Sequence, residues 1–498
     1  NYTSQAPPSS VSSGNNTTWE GTCLSSTCAM DKDGVFREAG NYLIYADTQN
    51  IWATDASREY WLLKSGITHY HTSMNNMVYF ESNAELWKTD GTIIGTVKVS
   101  SINPFRSTTG HGEGTSLHRD QEMTVLNNEM YFPVDDATNG AELWKSDGTN
   151  SGTVKVMDMT NWSSSMNLIM IERFLPIVFN NKLVFMSHNY TTATGHNYQL
   201  ISTDGTANGA SVLHNDSGIL GETMIVFQNE LYFQANNKSL MKTDGTASGA
   251  TWVVDQYNNY MHELRFFEWE NYLYFNGWDV TNYTQGRELW KTDGTTNGTV
   301  QVANFVSDSP GQGAHNHNGI GIPDFYAWNE THFAFNARTS PGQNSAEHLY
   351  ITDGTENNTS ILLNGRLWTS RASVAAPTQS SGTFSNGQHA IWIGDVAYHG
   401  DSQSHGVAFC YADFSGAQIQ LTSSVSQTCF PDYNTGQYQF DHGYGAAHSW
   451  NDELYIVAYR PTLSSSGAPA HYSFWSYAPG NVTLSTPPPV SWDVDPAL

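Results

Sequence analysis

The chain has 498 residues, 39% hydrophobic and 13% aromatic, which is enough for a large core. It carries 21 lysines and arginines against 47 acidic residues, a formal net charge of −26 at pH 7. This balance excludes a general phosphate-binding surface, because nucleic-acid affinity depends on Lys and Arg neutralising phosphates. We therefore predict no nucleic-acid partner. No run of about 18 apolar residues occurs, so we also predict no membrane span.

Residues 1–30 are rich in Ser, Thr and Pro, and we predict an N-terminal arm there, outside the folded domain. The numbering begins at Asn1 rather than Met, as expected after removal of a signal peptide. The arm is either a disordered tail or an extended segment that pairs elsewhere. In the second case it closes the domain or adds a strand to a neighbouring molecule.

One phrase is repeated six times after the arm. The copies are ELWKTDGT (85–92), ELWKSDGT (142–149), LISTDGT (200–206), LMKTDGT (240–246), ELWKTDGT (288–295) and LYITDGT (349–355). A second element such as NEMYF (128–132) or NELYF (229–233) precedes each copy, and a strand such as GTVKV (95–99) follows several of them. Each unit therefore predicts four short strands separated by Asn, Asp and Gly turns.

Degenerate units extend the series at both ends. Residues 42–57 match the repeat pattern, with Asp55 at the turn position. After the six clear copies, two weaker units lie at 391–416 and 453–484. The turns are roughly 53 residues apart, which is the period of a propeller blade rather than of a solenoid coil. We therefore predict nine units, with seven or eight blades as the alternative.

We predict that the repeated DGT is the hairpin turn between the third and fourth strands of each unit. The Asp side chain can accept hydrogen bonds from the N–H groups one and two residues on, and Gly supplies a positive φ. A calcium loop needs several carboxylates close together, whereas each turn has one. The predicted structural turn residues are Asp90, Asp147, Asp204, Asp244, Asp293 and Asp353.

These units resemble the ELWxxDGT-repeat family of β-propellers, which occurs mostly in secreted and surface proteins. The match is clear over about residues 40–365 and weaker to about 484. The expected fold is all-β, a propeller at residues 31–484 with an extended C-terminal arm at 485–498. That arm contains PPP (487–489) and the alternating VSWDV (490–494), which is typical of an edge strand.

Four cysteines agree with an exported protein. They allow three pairings, and the one with the shortest loops joins Cys23 to Cys28 and Cys410 to Cys429. A thiolate metal site would need further ligands at close spacing, which neither pair has. We predict two disulfides.

The sequence also carries thirteen N-glycosylation sequons, a mild excess over chance. They support a glycosylated extracellular protein if the source is eukaryotic. The acceptors are Asn1, Asn15, Asn16, Asn161, Asn189, Asn215, Asn237, Asn282, Asn297, Asn329, Asn357, Asn358 and Asn481.

No catalytic, cofactor or metal site is predicted. Two H-x-H pairs, His69 with His71 and His315 with His317, lack an identifiable third metal ligand. Glycosidases need two carboxylates facing each other across the bond, and no such pair can be isolated. The acids outside the turns are Asp135, Asp136, Glu222, Glu263, Glu268 and Glu270, and no hydrolase, P-loop or dinucleotide fingerprint occurs.

The leading functional hypothesis is a secreted, glycosylated structural or adhesive protein that self-assembles through its arms into an extracellular filament or array. The sequence departs from the repeat at its two ends and not at one internal cluster of residues that could form a site. This favours assembly through the ends. A propeller that binds glycan or protein ligands is the first alternative, and a propeller glycosidase is the second. Fold alone does not decide among them.

Overall fold

The structure is a computed structural model. It describes residues 17–20, 22–25, 30, 35–47, 49–55, 57, 59–104, 123–136, 140–158, 168–170, 176–191, 195–216, 224–235, 239–254, 266–278, 287–303, 325–329, 331–338, 347–363, 366–367, 389–396, 406–413, 426–430, 444–450, 453–460 and 471–478.

The described residues form nine separate sheets, which we number as blades 1 to 9 in chain order. The first four blades contain β3 (Val35–Ala39), β4 (Tyr42–Ala46), β5 (Asn50–Thr54) and β6 (Glu59–Ser65); β7 (Ile67–Met74), β8 (Met77–Ser82), β9 (Glu85–Thr89) and β10 (Val97–Ser100); β11 (Thr124–Leu126), β12 (Glu129–Asp136), β13 (Gly140–Ser146) and β14 (Val154–Asp158); and β15 (Leu168–Met170), β16 (Ile177–Phe179), β17 (Lys182–Thr191), β18 (Gly195–Thr203) and β19 (Ser211–Asp216).

The remaining blades follow the same order. They contain β20 (Met224–Phe227), β21 (Glu230–Ala235), β22 (Ser239–Thr243) and β23 (Thr251–Val254); β24 (Phe266–Trp269), β25 (Tyr272–Trp278), β26 (Arg287–Thr292) and β27 (Val300–Ala303); β28 (Phe325–Asn329), β29 (His332–Arg338), β30 (Glu347–Thr352) and β31 (Ser360–Leu363); β32 (Arg366–Leu367), β33 (His389–Val396), β34 (Gly406–Asp413) and β35 (Ser426–Phe430); and β36 (Tyr444–Trp450), β37 (Glu453–Arg460) and β38 (His471–Ala478).

The architecture is an all-β propeller, and its nine sheets confirm nine units rather than seven or eight. The single helix among the described residues is a 3-10 turn, Glu356–Asn358. No helix in the described part of the chain is long and apolar enough to cross a membrane.

Blades 2, 3 and 5 begin with a tight hairpin between their first two strands, and blade 4 has one between β16 and β17. In blade 2, Asn75 and Asn76 have φ of 55° and 58°, and Met74 lies opposite Met77. A two-residue turn with both φ values positive matches the twist of the flanking strands, and Asn tolerates this conformation better than most residues. The same turn recurs at 127–128, 180–181 and 228–229.

The hydrophobic core lies between blades rather than within one central cluster. Blade 2 contributes Tyr79 and Leu86 to a cluster with Met130 and Phe132 of blade 3, and corresponding clusters join each successive pair from blade 1 to blade 7. Both faces of a strand are therefore buried against neighbouring sheets. This explains why the strands read as nearly continuous apolar runs.

Two short strands near the N-terminus connect the two ends of the ring. β1 (Thr17–Glu20) pairs antiparallel with β38 and forms the outer strand of blade 9. β2 (Thr22–Cys23) pairs in parallel with β6 as a fifth strand on the outer edge of blade 1. The segment predicted as an arm outside the blades thus contains strands of two blades.

Packing between the first and last blades accompanies this pairing. Trp450 and Tyr455 of blade 9 join one buried cluster with Phe36 and Tyr45 of blade 1. The ninth unit, predicted from sequence at 453–484, takes its fourth strand from the N-terminal β1. The predicted C-terminal arm, 485–498, lies outside the described residues.

Candidate functional site: the repeated turns

The repeated DGT forms the connection between the third and fourth strands in blades 2 to 7, as predicted. In blade 3, Asp147 Oδ1 accepts hydrogen bonds from the backbone N–H of Thr149 at 2.8 Å and from its hydroxyl at 2.7 Å. The same pair of bonds forms at Asp90, Asp204, Asp244, Asp293 and Asp353.

The N–H one residue after the Asp has a different acceptor from the one expected. The Gly148 N–H donates to the Ser146 hydroxyl at 3.1 Å, not to Asp147. Ser146 is fully buried and shares a second hydrogen bond with the Thr153 hydroxyl at 2.8 Å. The Ser or Thr before each Asp is therefore part of the turn, which the sequence analysis did not recognise.

In blades 2 to 6 the residue five positions after the turn Asp is Gly, and its missing side chain, rather than its φ, leaves room for the carboxylate. A Cβ at Gly152 would lie 2.0 Å from Asp147 Oδ1, and one at Gly95 would lie 2.0 Å from Asp90 Oδ1. In blade 7 the position is Asn358, whose side-chain amide donates to Asp353 Oδ2 at 2.6 Å. The aspartate thus fixes both ends of the loop.

Each turn is also a contact between blades. Gly148 has a φ of 86°, and a Cβ there would lie 2.2 Å from the hydroxyl of Tyr79 in blade 2. Tyr131, Tyr232 and Tyr274 approach the turn glycine of the next blade in the same way. The tyrosine of the upstream YF element therefore packs on the following turn.

The lysine of the phrase strengthens two of these contacts. Lys88 Nζ donates to the Gly148 carbonyl oxygen at 2.9 Å, and Lys291 Nζ donates to that of Gly354 at 3.0 Å. From blade 1, Trp61 Nε1 donates to the Gly91 carbonyl oxygen at 3.1 Å. A donor from one blade thus satisfies a turn carbonyl of the next blade.

Where a blade lacks this Tyr and Lys, its contact with the turn of the next blade is different. Blade 4 has Val184 and Ser202 at the Tyr and Lys positions. Phe179 and Asn180 contact the next turn instead, Asn180 donating to the Asp244 carbonyl oxygen at 3.0 Å. Blade 7 has Ala334 at the Tyr position, and the unit after it lacks the Asp-Gly pair.

The same geometry shifts the pKa values of the turn aspartates and of the tyrosine that packs on the turn. The Thr149 hydroxyl and then its backbone N–H lower the pKa of Asp147, and Asp204, Asp244 and Asp293 are affected alike. Burial, followed by the Asp147 charge, raises the pKa of Tyr79. The turn carboxylates are therefore ionised at neutral pH, and the tyrosine stays protonated.

The predicted cysteine pairs are placed as follows. Cys410 and Cys429 lie directly opposite each other in the register of β34 and β35, within the Cα separation that a disulfide spans. Cys23 is in β2, and Cys28 lies outside the described residues. Both pairings stay predictions.

Several predicted acceptor asparagines lie on the surface. Asn215 is exposed on the outer strand of blade 4, and Asn297, Asn357 and Asn358 are exposed at the turns of blades 6 and 7. Asn189 and Asn329 are in strands. The acceptors outside the described residues are Asn1, Asn15, Asn16, Asn161, Asn237, Asn282 and Asn481.

No metal-ligating cluster of three His, Cys, Asp or Glu occurs in the described part of the chain. His69 and His71 are in β7, whereas His315 and His317 fall outside the described residues. Of the acids outside the turns, Asp135 and Asp136 end β12, and Glu268 and Glu270 are exposed in blade 6. Glu222 and Glu263 are not among the described residues.

No family model and no curated protein matches the chain. Among solved structures, it is similar to an oligogalacturonate lyase from Vibrio parahaemolyticus, with 9% identity over 96% of both chains and a TM-score of 0.36. BamB from Moraxella catarrhalis matches with 12% identity over 67% of this chain and 92% of that one, at a TM-score of 0.34. A puromycin hydrolase matches with 9% identity and a TM-score of 0.36 over 78% of this chain but only 59% of its own length.

Proposed function

We propose that this protein is a secreted, glycosylated structural protein that self-assembles through a terminal segment into an extracellular filament or array. The observation that carries the proposal is the fifth strand on blade 1. There β2 adds to the outer edge of β6, and the Leu24 N–H continues the pairing by donating to the Tyr60 carbonyl oxygen at 2.8 Å. The outer edge of a blade in this fold accepts an added extended segment.

Other blades offer the same kind of edge. The outer strands β10, β14 and β27 have no further strand paired to them among the described residues. Each begins with a partly exposed valine: Val97 is 40% exposed, Val154 41% and Val300 43%. An added strand would satisfy unpaired N–H and C=O groups and cover this apolar surface.

The donor that fits best is the C-terminal segment of a second copy. The N-terminal strands β1 and β2 are already paired within the ring, so they are not free to join a neighbour. The segment VSWDV (490–494) has strand alternation and follows three prolines that favour an extended chain. A head-to-tail contact of this kind makes an open filament unless its rotation closes a ring.

The repeated residues support an architectural role. The Asp and Thr of each phrase bond within the turn, the upstream Tyr of four blades packs on the turn of the next blade, and Lys88 and Lys291 donate to the next turn. The exposed acceptors Asn215, Asn297 and Asn357 support glycosylation. We therefore propose no enzymatic activity for the repeat.

Two truncations test the assembly. Deleting 485–498 should give folded monomers, as measured by light scattering and negative-stain imaging, whereas deleting 1–16 leaves β1 and β2 in place and should preserve the assembly. If the 485–498 deletion assembles like the full chain, or if the full chain is monomeric at high concentration, the proposal is wrong. Discrete discs that bind a glycan would favour a binding module.

A further inference from the structure

Each repeated turn contains an Asp-Gly pair, a dipeptide prone to a backbone rearrangement. The Gly nitrogen bonds to the Asp Cγ, the carboxyl hydroxyl leaves with the N–H proton as water, and a succinimide ring forms. Water then opens the ring at either carbonyl and gives back Asp or gives isoaspartate. Glycine favours the attack because it has no Cβ to hinder the approach. The described turns contain six such pairs, at Asp90, Asp147, Asp204, Asp244, Asp293 and Asp353.

The attacking nitrogen is held by a hydrogen bond in all six turns. The Gly148 N–H donates to the Ser146 hydroxyl at 3.1 Å, and the corresponding bonds of the other five turns measure between 2.9 and 3.2 Å. The accepting Ser or Thr is fully buried in every one of these turns. Attack on the Asp Cγ therefore requires this bond to break and a base to reach a shielded N–H.

The aspartate is held as well. Asp147 Oδ1 accepts both the backbone N–H and the hydroxyl of Thr149, which fixes the carboxylate on that residue. These bonds also lower the pKa of Asp147, and the ionised carboxylate loses water less readily than the protonated acid. Both partners of the reaction are thus restrained in the folded turn.

The turn of blade 5 is the least covered of the six. Gly245 is partly exposed, whereas the equivalent glycine of the other five turns is buried. A Cβ on Gly245 would lie 3.0 Å from the ring of Phe179, but in each of the other turns it would overlap a tyrosine. The difference arises because blade 4 has Val184 at the Tyr position.

We infer that the bond from the Gly N–H to the buried hydroxyl protects the Asp-Gly pairs from succinimide formation, and that Asp244 is the turn residue that converts to isoaspartate first. Isoaspartate carries the main chain through the side-chain CH₂, so it lengthens the turn and removes the carboxylate from its place. The buried Ser or Thr of each phrase thus preserves the covalent structure of the repeat. This inference does not depend on assembly or on glycosylation.

Two turns of the same chain provide a matched comparison. Asp204 and Asp244 both lie in the sequence TDGTA, and both turns have alanine where other turns have a second Thr. Their glycines differ in cover, since Gly205 is buried against Tyr131 and Gly245 is not. Folded protein aged at neutral pH should accumulate isoaspartate at Asp244 several-fold faster than at Asp204, as measured by peptide mapping. In the denatured chain the two rates should be equal. Equal rates in the folded protein would show that cover by the neighbouring blade does not matter.

Substitutions in blade 3 test the hydrogen bond itself. Ser146→Ala should raise the rate of isoaspartate formation at Asp147 about 2- to 10-fold, because one hydrogen bond no longer has to break. Ser146→Thr, which restores the hydroxyl found in the other five turns, should keep the wild-type rate. Thr153→Ala is the matched control, since it removes the second hydroxyl bonded to Ser146 but leaves the acceptor of the Gly148 N–H in place. An unchanged rate in Ser146→Ala, or an equal increase in Thr153→Ala, would overturn the inference.

Hydrogen exchange of the wild type gives an independent measurement if Ser146→Ala does not fold. The Gly148 amide should exchange much more slowly than the amide of Asn150, which is exposed at the tip of the same turn. Exchange of the two amides at the same rate would mean that the Gly148 N–H is not protected, and the inference would be wrong.

Discussion

At the scale of single residues, the protein uses a few side chains in the same way many times. Asp147 accepts two hydrogen bonds from Thr149, Ser146 accepts one from Gly148, and Gly152 leaves room for the carboxylate. Because the turn aspartates are largely exposed, their contribution comes from these local bonds rather than from burial. Each of these aspartate side chains can therefore be truncated without creating a cavity in the hydrophobic core.

We expect Asp147→Ala to lower the free energy of unfolding by about 0.5–2 kcal/mol, as is typical of a lost side chain–backbone bond. Asn150→Ala, at the exposed tip of the same turn, is the control and should have little effect. Chemical denaturation measures both. A loss of ligand binding in folded Asp147→Ala would contradict the structural role.

The lowered pKa of Asp147 also predicts a pH dependence. A depressed pKa contributes stability that is complete above the unfolded-state value of about 3.9 and is lost as the pH falls through the folded-state value. Asp147→Asn keeps an acceptor oxygen but cannot ionise. The stability difference between wild type and Asp147→Asn should therefore be constant from pH 7 to about 5 and shrink below about 4. A constant difference down to pH 2 would contradict it.

The contact between Tyr79 and Gly148 can be separated from backbone strain. Gly148→Ala should cost about 2–5 kcal/mol, combining a left-handed φ with overpacking against the Tyr79 hydroxyl. Gly40→Ala is the matched control, since its φ is 59° but nothing lies within 4 Å, and should cost only about 1–2 kcal/mol. In a Tyr79→Phe background the cost of Gly148→Ala should be smaller. An unchanged cost would show that the blades do not meet there.

At the scale of the element, the blades differ in how completely the turn is bonded. In blade 2 the Thr96 hydroxyl donates to the Thr92 carbonyl oxygen at 2.7 Å and pairs with the Thr89 hydroxyl at 2.8 Å. Blades 4 and 5 have Ala210 and Ala250 at this position, so these bonds cannot form there. The two turns are incomplete copies of the same hairpin.

Restoring the hydroxyl should stabilise the incomplete turns. Ala250→Thr should raise the free energy of unfolding by about 0.5–1.5 kcal/mol per bond formed, and Thr96→Ala should lower it by a similar amount. Ser248→Ala, at the exposed tip of the blade 5 turn, is the control. Thermal unfolding compares the variants. If Ala250→Thr destabilises the protein, the space beside Ala250 does not admit the added group.

At the scale of the whole molecule, stability depends on joining the first and last blades. Trp450 is 6% exposed and packs in the cluster shared with blade 1, and Ser25 Oγ accepts the Leu62 N–H at 2.7 Å beside the β2 pairing. The strand β1 and this cluster together hold the ends of the chain. Both the β1 pairing and the cluster join residues that are far apart in the sequence.

Trp450→Ala should lower stability by about 3–5 kcal/mol, as is typical of removing a buried Trp from a core. Trp252→Ala, at a site that is 40% exposed on the outer strand of blade 5, should cost much less. Thermal unfolding and proteolysis near residues 17–30 measure the opening. Equal effects of the two substitutions would mean that the contact between blades 1 and 9 does not limit stability.

The sequence by itself determined the repeating unit, its four strands and the position of the DGT hairpin, because these depend on alternation, turn residues and spacing over a few residues. It carried only part of the signal for the blade contacts: Tyr and Lys are absent from unit 7, before the unit that loses Asp-Gly, but also from unit 4, before a unit that keeps it. Only the tertiary structure decided which glycine faces which tyrosine, why Ser146 is buried, and that Thr17–Glu20 completes blade 9. Those features join residues far apart in the chain, and a local pattern does not specify which distant edge a short strand will satisfy.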